Sequence, residues 1–237
     1  MKSRNLHTWD LSIDQAKGLQ RDLASGVSVV SEDLNPEYVA GVDISAPDAS
    51  GVARGAAVVM AYPGLVIMDY CVTRARVSFP YVPGLLSFRE APLVIQALEG
   101  LSIDPDLILV DGQGLAHPRR FGLACHIGLL MDVPTIGCAK SRLCGAYSTP
   151  GEERGSYSDL TDGEEVIGAV LRTKLRTTPI FVSVGHRIDL ETAIRYTLGC
   201  GGGYRVPEPT RHAHLAAGGR PMAPSDQEQR AEKLGLI

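Results

Sequence analysis

The segment Leu107-Ile-Leu-Val-Asp111 narrows the fold more than any other stretch of this sequence. Four consecutive apolar residues leave no polar face, so a strand there has to be covered on both sides. That places it inside a sheet flanked by helices rather than in a half-solvated sheet. The run closes on an acid. In open α/β sheets the carboxyl ends of the strands are where ligands bind, so Asp111 is a candidate functional residue. The alternative is an Asp that caps the following turn.

The surrounding patterns build a mixed sheet around that strand. Ser12-Ile-Asp-Gln15 reads as a capping box, and Ala16, Leu19, Leu23 and Ala24 then mark one helical face that ends at Ser25-Gly26. Three strand-like runs follow, 38–45, 53–62 and 65–77, separated by turn signals at 47–51 and at Pro63-Gly64. Their short connections predict an antiparallel meander. From Gly84 onward the pattern alternates: a helix over 85–98, the 107–111 strand, a Gly-rich turn, a helix from about Arg119 to Met131, and a strand over 134–138. That alternation predicts parallel pairing. Residues 145–165 read as a polar surface excursion. Further strands are expected at 166–172 and 180–184, with helices starting at Asp189 and at Thr210, the latter as N-cap. A three-strand meander followed by alternating helices and strands is similar to the ribonuclease H-like fold. The expected class is therefore α/β, a mixed sheet flanked by helices, as a single domain over 1–237.

Bulk properties exclude several function classes. A net charge of −4 argues against a protein that coats nucleic acid non-specifically. Even so, the segment 107–145 carries Arg119, Arg120, Lys140 and Arg142 against only Asp111 and Asp132. Cysteines at 71, 125, 138, 144 and 200 form no C-x-x-C pair, which disfavours a zinc knuckle and suits free thiols in a reducing compartment. The start of the chain has no apolar stretch of the secretory kind, and no apolar run reaches membrane-spanning length. The expectation is a cytoplasmic, monomeric protein without membrane association.

Three more residues carry chemistry. Strand alternation puts Val39, Gly41, Asp43 and Ser45 on one face; Asp is disfavoured inside strands, and small neighbours leave room for an ion. Taken singly, Asp43 reads rather as an acid on a solvated face. Glu90 has Leu86, Leu93 and Val94 as helical neighbours, so it projects from an apolar stripe and asks for a cation, a donor or a buried salt bridge. His214 is expected in the first turns of a helix, where a surface histidine is the plain alternative. Carboxylates with one imidazole favour Mg²⁺ or Mn²⁺ over zinc, and such a site suits phosphodiester hydrolysis. Gly112-Gln-Gly114-Leu-Ala-His117 lacks the third glycine of a dinucleotide fingerprint, and Gly137-Cys-Ala-Lys140-Ser141 lacks the glycines of a P-loop.

The sequence resembles the endonuclease V, or deoxyinosine 3′ endonuclease, family. The resemblance is carried by 38–45 (YVAGVDIS), 79–90 (FPYVPGLLSFRE), 111–120 (DGQGLAHPRR), 134–143 (PTIGCAKSRL) and 207–211 (PEPTR), in order along nearly the whole chain. Cys138 and Ser87 read as ordinary variation. The resemblance implies a Mg²⁺-dependent nick, with Mn²⁺ able to substitute, in DNA carrying deaminated bases. The cut falls at the second phosphodiester bond 3′ to deoxyinosine and leaves 3′-hydroxyl and 5′-phosphate ends. It implies that Asp43, Asp111, Glu90 and His214 hold metal and that Lys140 lies near the scissile phosphate. The loop with Pro80, Tyr81 and Pro83 looks like a strand-separating wedge, stiffened by its prolines and tipped by a ring that can stack where a base has left. His117, Arg119 and Arg120 are implied to contact DNA; a solvated helix start is the alternative for the arginines. Gly84, Leu86, Gly112, Gly114 and Leu143 are implied to form the pocket for the flipped base. An endoribonuclease for inosine in RNA uses the same site. A lesion-binding module with a decayed site and a small-molecule α/β enzyme rank below these, the first because the set of acids is complete, the second because no nucleotide fingerprint is intact.

Overall fold

The computed structural model describes residues 1–31, 33–220 and 222. The expected single domain of 1–237 extends over residues 223–237, outside the described residues. The chain opens with helix α1 (Ile13–Ala24), started by the capping box read from the sequence: Gln15 N–H donates to Ser12 Oγ, and Ser12 N–H to the Gln15 side chain. Strands β1 (Tyr38–Ile44), β2 (Val52–Ala61) and β3 (Val66–Arg76) then form the antiparallel meander. Helix α2 (Leu86–Glu99), strand β4 (Leu107–Val110), helix α3 (Leu123–Met131) and strand β5 (Thr135–Ala139) follow, with β1–β4 and β4–β5 parallel. Strands β6 (Tyr157–Asp162), β7 (Glu165–Leu171) and β8 (Ile180–His186) add an antiparallel wing, and helices α4 (Leu190–Gly199) and α5 (Glu208–Ala217) end the described fold.

All eight strands form one mixed sheet in the order β3-β2-β1-β4-β5-β8-β7-β6. β4 is covered on both faces, as its composition requires. Leu107 and Leu109 join Val39, Val58, Met60 and Ile136 under α4 and α5; Ile108 and Val110 join Ala40, Val42 and Val59 under α2 and α3. Each of these β4 side chains is fully buried and contributes about 1.5–3 kcal/mol from the apolar area removed from water. Among the described residues, no helix is long and apolar enough to cross a membrane.

Five local readings change. β6 lies within the stretch read as a surface excursion; it is an edge strand with only Leu160 buried. α3 starts at Leu123, not near Arg119, because Arg120 takes a positive φ of 53° and Gly122 is extended. α5 is entered through Pro207, with Pro209 in its first turn and the Thr210 hydroxyl turned back onto the Pro207 carbonyl at 2.9 Å. His214 consequently sits in the last turn of α5, not the first. Gly41 leaves room for α5 rather than for an ion: a Cβ there would lie 1.9 Å from the Pro209 carbonyl carbon.

Candidate active site

The ends of two parallel strands set the site. Asp43 is the sixth residue of β1 and Asp111 directly follows β4. The Asp111 N–H reaches the Val42 carbonyl at 3.4 Å, which holds the two acids beside each other. Glu90 enters from α2, which covers the adjacent sheet face. His214 arrives from α5 on the opposite face, its Nδ1 2.7 Å from Asp43 Oδ2. Lys140, directly after β5, forms an ion pair with Asp111. The Asp43 and Asp111 side chains are only 12% and 15% exposed, whereas His214 and Lys140 are open to solvent.

The acids feel one another. Glu90 is pushed up to about 8 by burial and by the charges of Asp43 and Asp111. Asp43 is also raised, by burial and then by Asp111, against the opposing pull of the Ile44 N–H, His214 and Lys140. Two carboxyls held above their ordinary range beside the Asp111 charge form a site that a divalent cation would stabilise. Their oxygens and the single imidazole are hard donors of the kind Mg²⁺ and Mn²⁺ take. Among the described residues, no group of three or more such side chains is already arranged as a metal cage. Lys140 and His214 instead occupy oxygens of Asp111 and Asp43.

Beside the acids lies a cleft of about 340 Å³, lined by Gly84, Leu86, Gly112 and Leu143 together with Tyr81, Asp111 and Lys140. Four of the five expected pocket residues therefore line one cavity that opens onto Asp111. Gly114 is not among them. It packs behind the cleft, its N–H donating to Ser183 Oγ at 2.8 Å, and a Cβ there would lie 2.0 Å from the Val184 carbonyl oxygen.

The wedge loop is anchored at both ends and bare at its tip. Phe79 is buried against Phe88, and its carbonyl accepts from Arg89 at 2.8 Å. At the other end, Gly84 takes a positive φ of 76°, and its carbonyl accepts from Arg119 Nη2 at 2.7 Å, His117 Nε2 at 2.9 Å and Gln20 Nε2 at 3.1 Å. Between these anchors Pro80 and Pro83 are exposed, and Tyr81 is 72% exposed.

This places two of the expected DNA-contacting residues, His117 and Arg119, beneath the loop, whereas Arg120 turns to the acids of the β6–β7 hairpin. His117 is buried; its Nδ1 accepts from the Arg119 N–H at 3.1 Å, so the neutral ring donates through Nε2. Burial pulls it down to about 4, with Arg119 and Arg120 pushing the same way. Arg119 is engaged by Gly84 and Gln20, and Arg120 by Asp162, Glu165 and the His117 carbonyl. Sequence reading also passed over Gln20, Ser87 and Gln113. Gln20, on α1, has only its spacing from Ala16 to betray it. Ser87 and Gln113 line the cleft with a buried oxygen each, Oγ and Oε1, that has no hydrogen-bond partner.

Comparison with known proteins agrees with this architecture. The Endonuclease V family model matches residues 21–215. Endonuclease V of Dehalococcoides mccartyi is 50% identical over 217 residues, 92% of this chain and 97% of that protein. The crystal structure of endonuclease V from Streptomyces avermitilis superposes with a TM-score of 0.84 at 41% identity, covering 97% of this chain and 96% of that one. Endonuclease V of Ciona intestinalis, crystallised with a 24mer DNA containing an inosine followed by a ribo-adenosine, gives a TM-score of 0.75 at 29% identity, covering 86% of this chain and 95% of that one.

Proposed function

This chain belongs to the endonuclease V family, and on that premise we propose that it is a Mg²⁺-dependent DNA repair nuclease for deaminated bases, chiefly deoxyinosine. It hydrolyses the second phosphodiester bond 3′ to the lesion and leaves 3′-hydroxyl and 5′-phosphate ends. The observation that carries this reading is the juxtaposition of three mutually repelling carboxylates with a base-sized cleft and an exposed ring on one rim. The inosine-bearing DNA held by the Ciona relative supports the choice of lesion.

Asp43, Asp111, Glu90 and His214 would hold the metal, with Mn²⁺ able to substitute. Bound there, the ion supplies Lewis acidity at the phosphate oxygens. The remaining tasks belong to the chain. Tyr81 stacks in the space a flipped base vacates, on a loop too well anchored to fold away. The cleft excludes water from the extruded base and offers backbone groups of Gly84 and Gly112 to its edge. The Lys140 ammonium, beside Asp111, places a positive charge where the scissile phosphate passes.

A second reading, cleavage at inosine in RNA, draws support from the ribonucleotide that follows inosine in the Ciona complex. One experiment addresses both. The protein is incubated with Mg²⁺ and labelled strands bearing deoxyinosine, an inosine ribonucleotide or neither. A nick on the 3′ side of deoxyinosine, absent in Asp43→Ala, is expected. An intact deoxyinosine strand beside a cut inosine RNA transfers the assignment to RNA; no cut in either sinks both readings.

A further inference from the structure

On the far side of Asp43 from the base cleft, three arginines share one sheet face. Arg54 and Arg74 are directly opposed across β2 and β3, and Arg76 stands opposite Val52, two residues further along β3. Ala56, Val58 and Met60 alternate with Arg54 on β2 and face α5, so Arg54 and its partners lie on the face that carries His214. They sit at the catalytic end of the sheet: Asp43 pairs with Ala56, and Ser45 Oγ accepts from the Arg54 N–H at 3.0 Å.

Like charges directly opposed on a strand pair are destabilising. Among the described residues, none of the three side chains has an ion-pair partner. Asp48 feels the Arg54 charge, but its oxygen is taken up by Ser50 and Val52. Arg74 and Arg76 are exposed. An arrangement that costs stability by itself fits a polyanion laid across it.

The sheet order fixes which part of that polyanion. The cleft is built at the ends of β4 and β5, the acids at β1 and β4, and the arginines at β2 and β3. On the function proposed above, the strand leaves the cleft at the lesion and runs 3′-ward across Asp111 and Asp43. Continuing in that direction it crosses β2 and then β3. We propose that Arg54, Arg74 and Arg76 form a backbone track for the strand downstream of the cut, the part that carries the new 5′-phosphate. From β1 to β3 is about 10 Å at roughly 4.8 Å per strand. That accommodates on the order of three nucleotides at about 3.4 Å of rise each.

The test compares wild-type protein with Arg74→Ala/Arg76→Ala and with Arg74→Lys/Arg76→Lys, in chelator so that strands stay uncut. Binding is titrated against salt on deoxyinosine duplexes with full arms, with the 3′ arm ending just past the scissile bond, or with the 5′ arm shortened. On the full and 5′-shortened duplexes the alanine pair is expected to flatten the log Kd against log salt slope by about 0.7–0.9 for each lost contact. On the 3′-shortened duplex it should bind like wild type. The lysine pair should keep the wild-type slope on all three, and the alanine pair should melt no lower than wild type. Equal loss by the alanine pair on 3′-shortened and full duplexes, or no loss on either, overturns the track while the nuclease reading stands. A wild-type protein that does not prefer deoxyinosine duplexes to plain ones overturns both.

Discussion

Gln20 of α1 donates its amide to the carbonyl of Gly84, 3.1 Å away at the foot of the wedge loop. The same side chain donates to the Phe121 carbonyl at 2.9 Å and accepts from Arg119 Nε at 2.6 Å. It is 1% exposed. Replacing it by Leu strands the buried Phe121 carbonyl and takes the acceptor from Arg119 Nε, while the Gly84 carbonyl keeps Arg119 Nη2 and His117; each stranded group costs about 1–3 kcal/mol. Gln20→Leu should therefore lower the thermal midpoint by several degrees, at about 2–4 °C per kcal/mol for a chain of this size. Because the amide positions the loop and does not touch the acids, KM for a deoxyinosine duplex should rise while the Mg²⁺ concentration for half-maximal rate stays put. A parallel shift in both would assign Gln20 a purely structural role.

Tyr81 offers the converse case. Its ring is exposed, so truncation removes little folded-state packing. Base stacking on an aromatic ring contributes about 1–3 kcal/mol, so Tyr81→Ala should weaken binding of a deoxyinosine duplex by roughly 5- to 150-fold and leave the melting temperature unchanged. A fluorescence anisotropy titration reads the first quantity, and Mg²⁺ titration of the cleavage rate the control. Equal loss of Mg²⁺ response would sink the wedge assignment.

The contrast between these two side chains shows what the sequence makes legible. Tyr81 stands in a stiff, motif-bearing loop, and its exposure follows from the prolines around it. Gln20 acts through a partner 64 residues away, and no periodicity announces such a contact. The same division runs through the fold. Leu107–Val110 declares its double burial by composition, and Ser12 with Gln15, like Asp189 before α4, declares a helix start by cap chemistry. β6 was hidden because an edge strand with a single buried residue has no apolar rhythm. At the site, strand alternation put Asp43 on one sheet face, and the end of an all-apolar run marked Asp111. It could not show that the space over Gly41 belongs to Pro209, that His117 lies under Gly84, or that Gly114 packs against Val184. Those placements depend on which distant backbone arrives at each position.

Glu90 ties the site to stability. Its folded-state pKa is raised from 4.5 to about 8, so in the metal-free protein it binds a proton that the unfolded chain has already lost. The folded state binds more protons between those values, and stability falls as pH rises from 4.5 through 8. Glu90→Gln removes that decline. In chelator at pH 8, the Gln variant should show a higher urea midpoint than wild type, and the two should converge near pH 4. Its cleavage activity should be lost, since it removes one of the proposed ligands. A Gln variant no more stable than wild type at pH 8 would overturn the raised carboxyl.

His126 gives the opposite sign in a different place. It is fully buried among Phe88, Phe121 and Trp9, with Nε2 2.7 Å from His7 Nε2 and Nδ1 without a partner. His7 Nδ1 lies 2.8 Å from the Thr8 carbonyl and donates to it, so the His7 Nε2 accepts and His126 Nε2 carries the hydrogen. Burial pulls His126 down to about 3 from 6.5, with the neighbouring His7 acting in the same direction. The unfolded chain therefore binds the extra proton between those values. The stabilisation is fully present above pH 6.5 and is lost as pH falls toward 3. His126→Leu keeps an apolar side chain among the rings, removes the proton linkage and leaves His7 without its donor. At pH 7 the variant should be less stable than wild type by about 1–2 kcal/mol, from the lost hydrogen bond and the altered shape. Between pH 6.5 and 4 its urea midpoint should fall less steeply than that of the wild type. Parallel slopes for the two proteins across that range would mean that another group carries the acid sensitivity of this core.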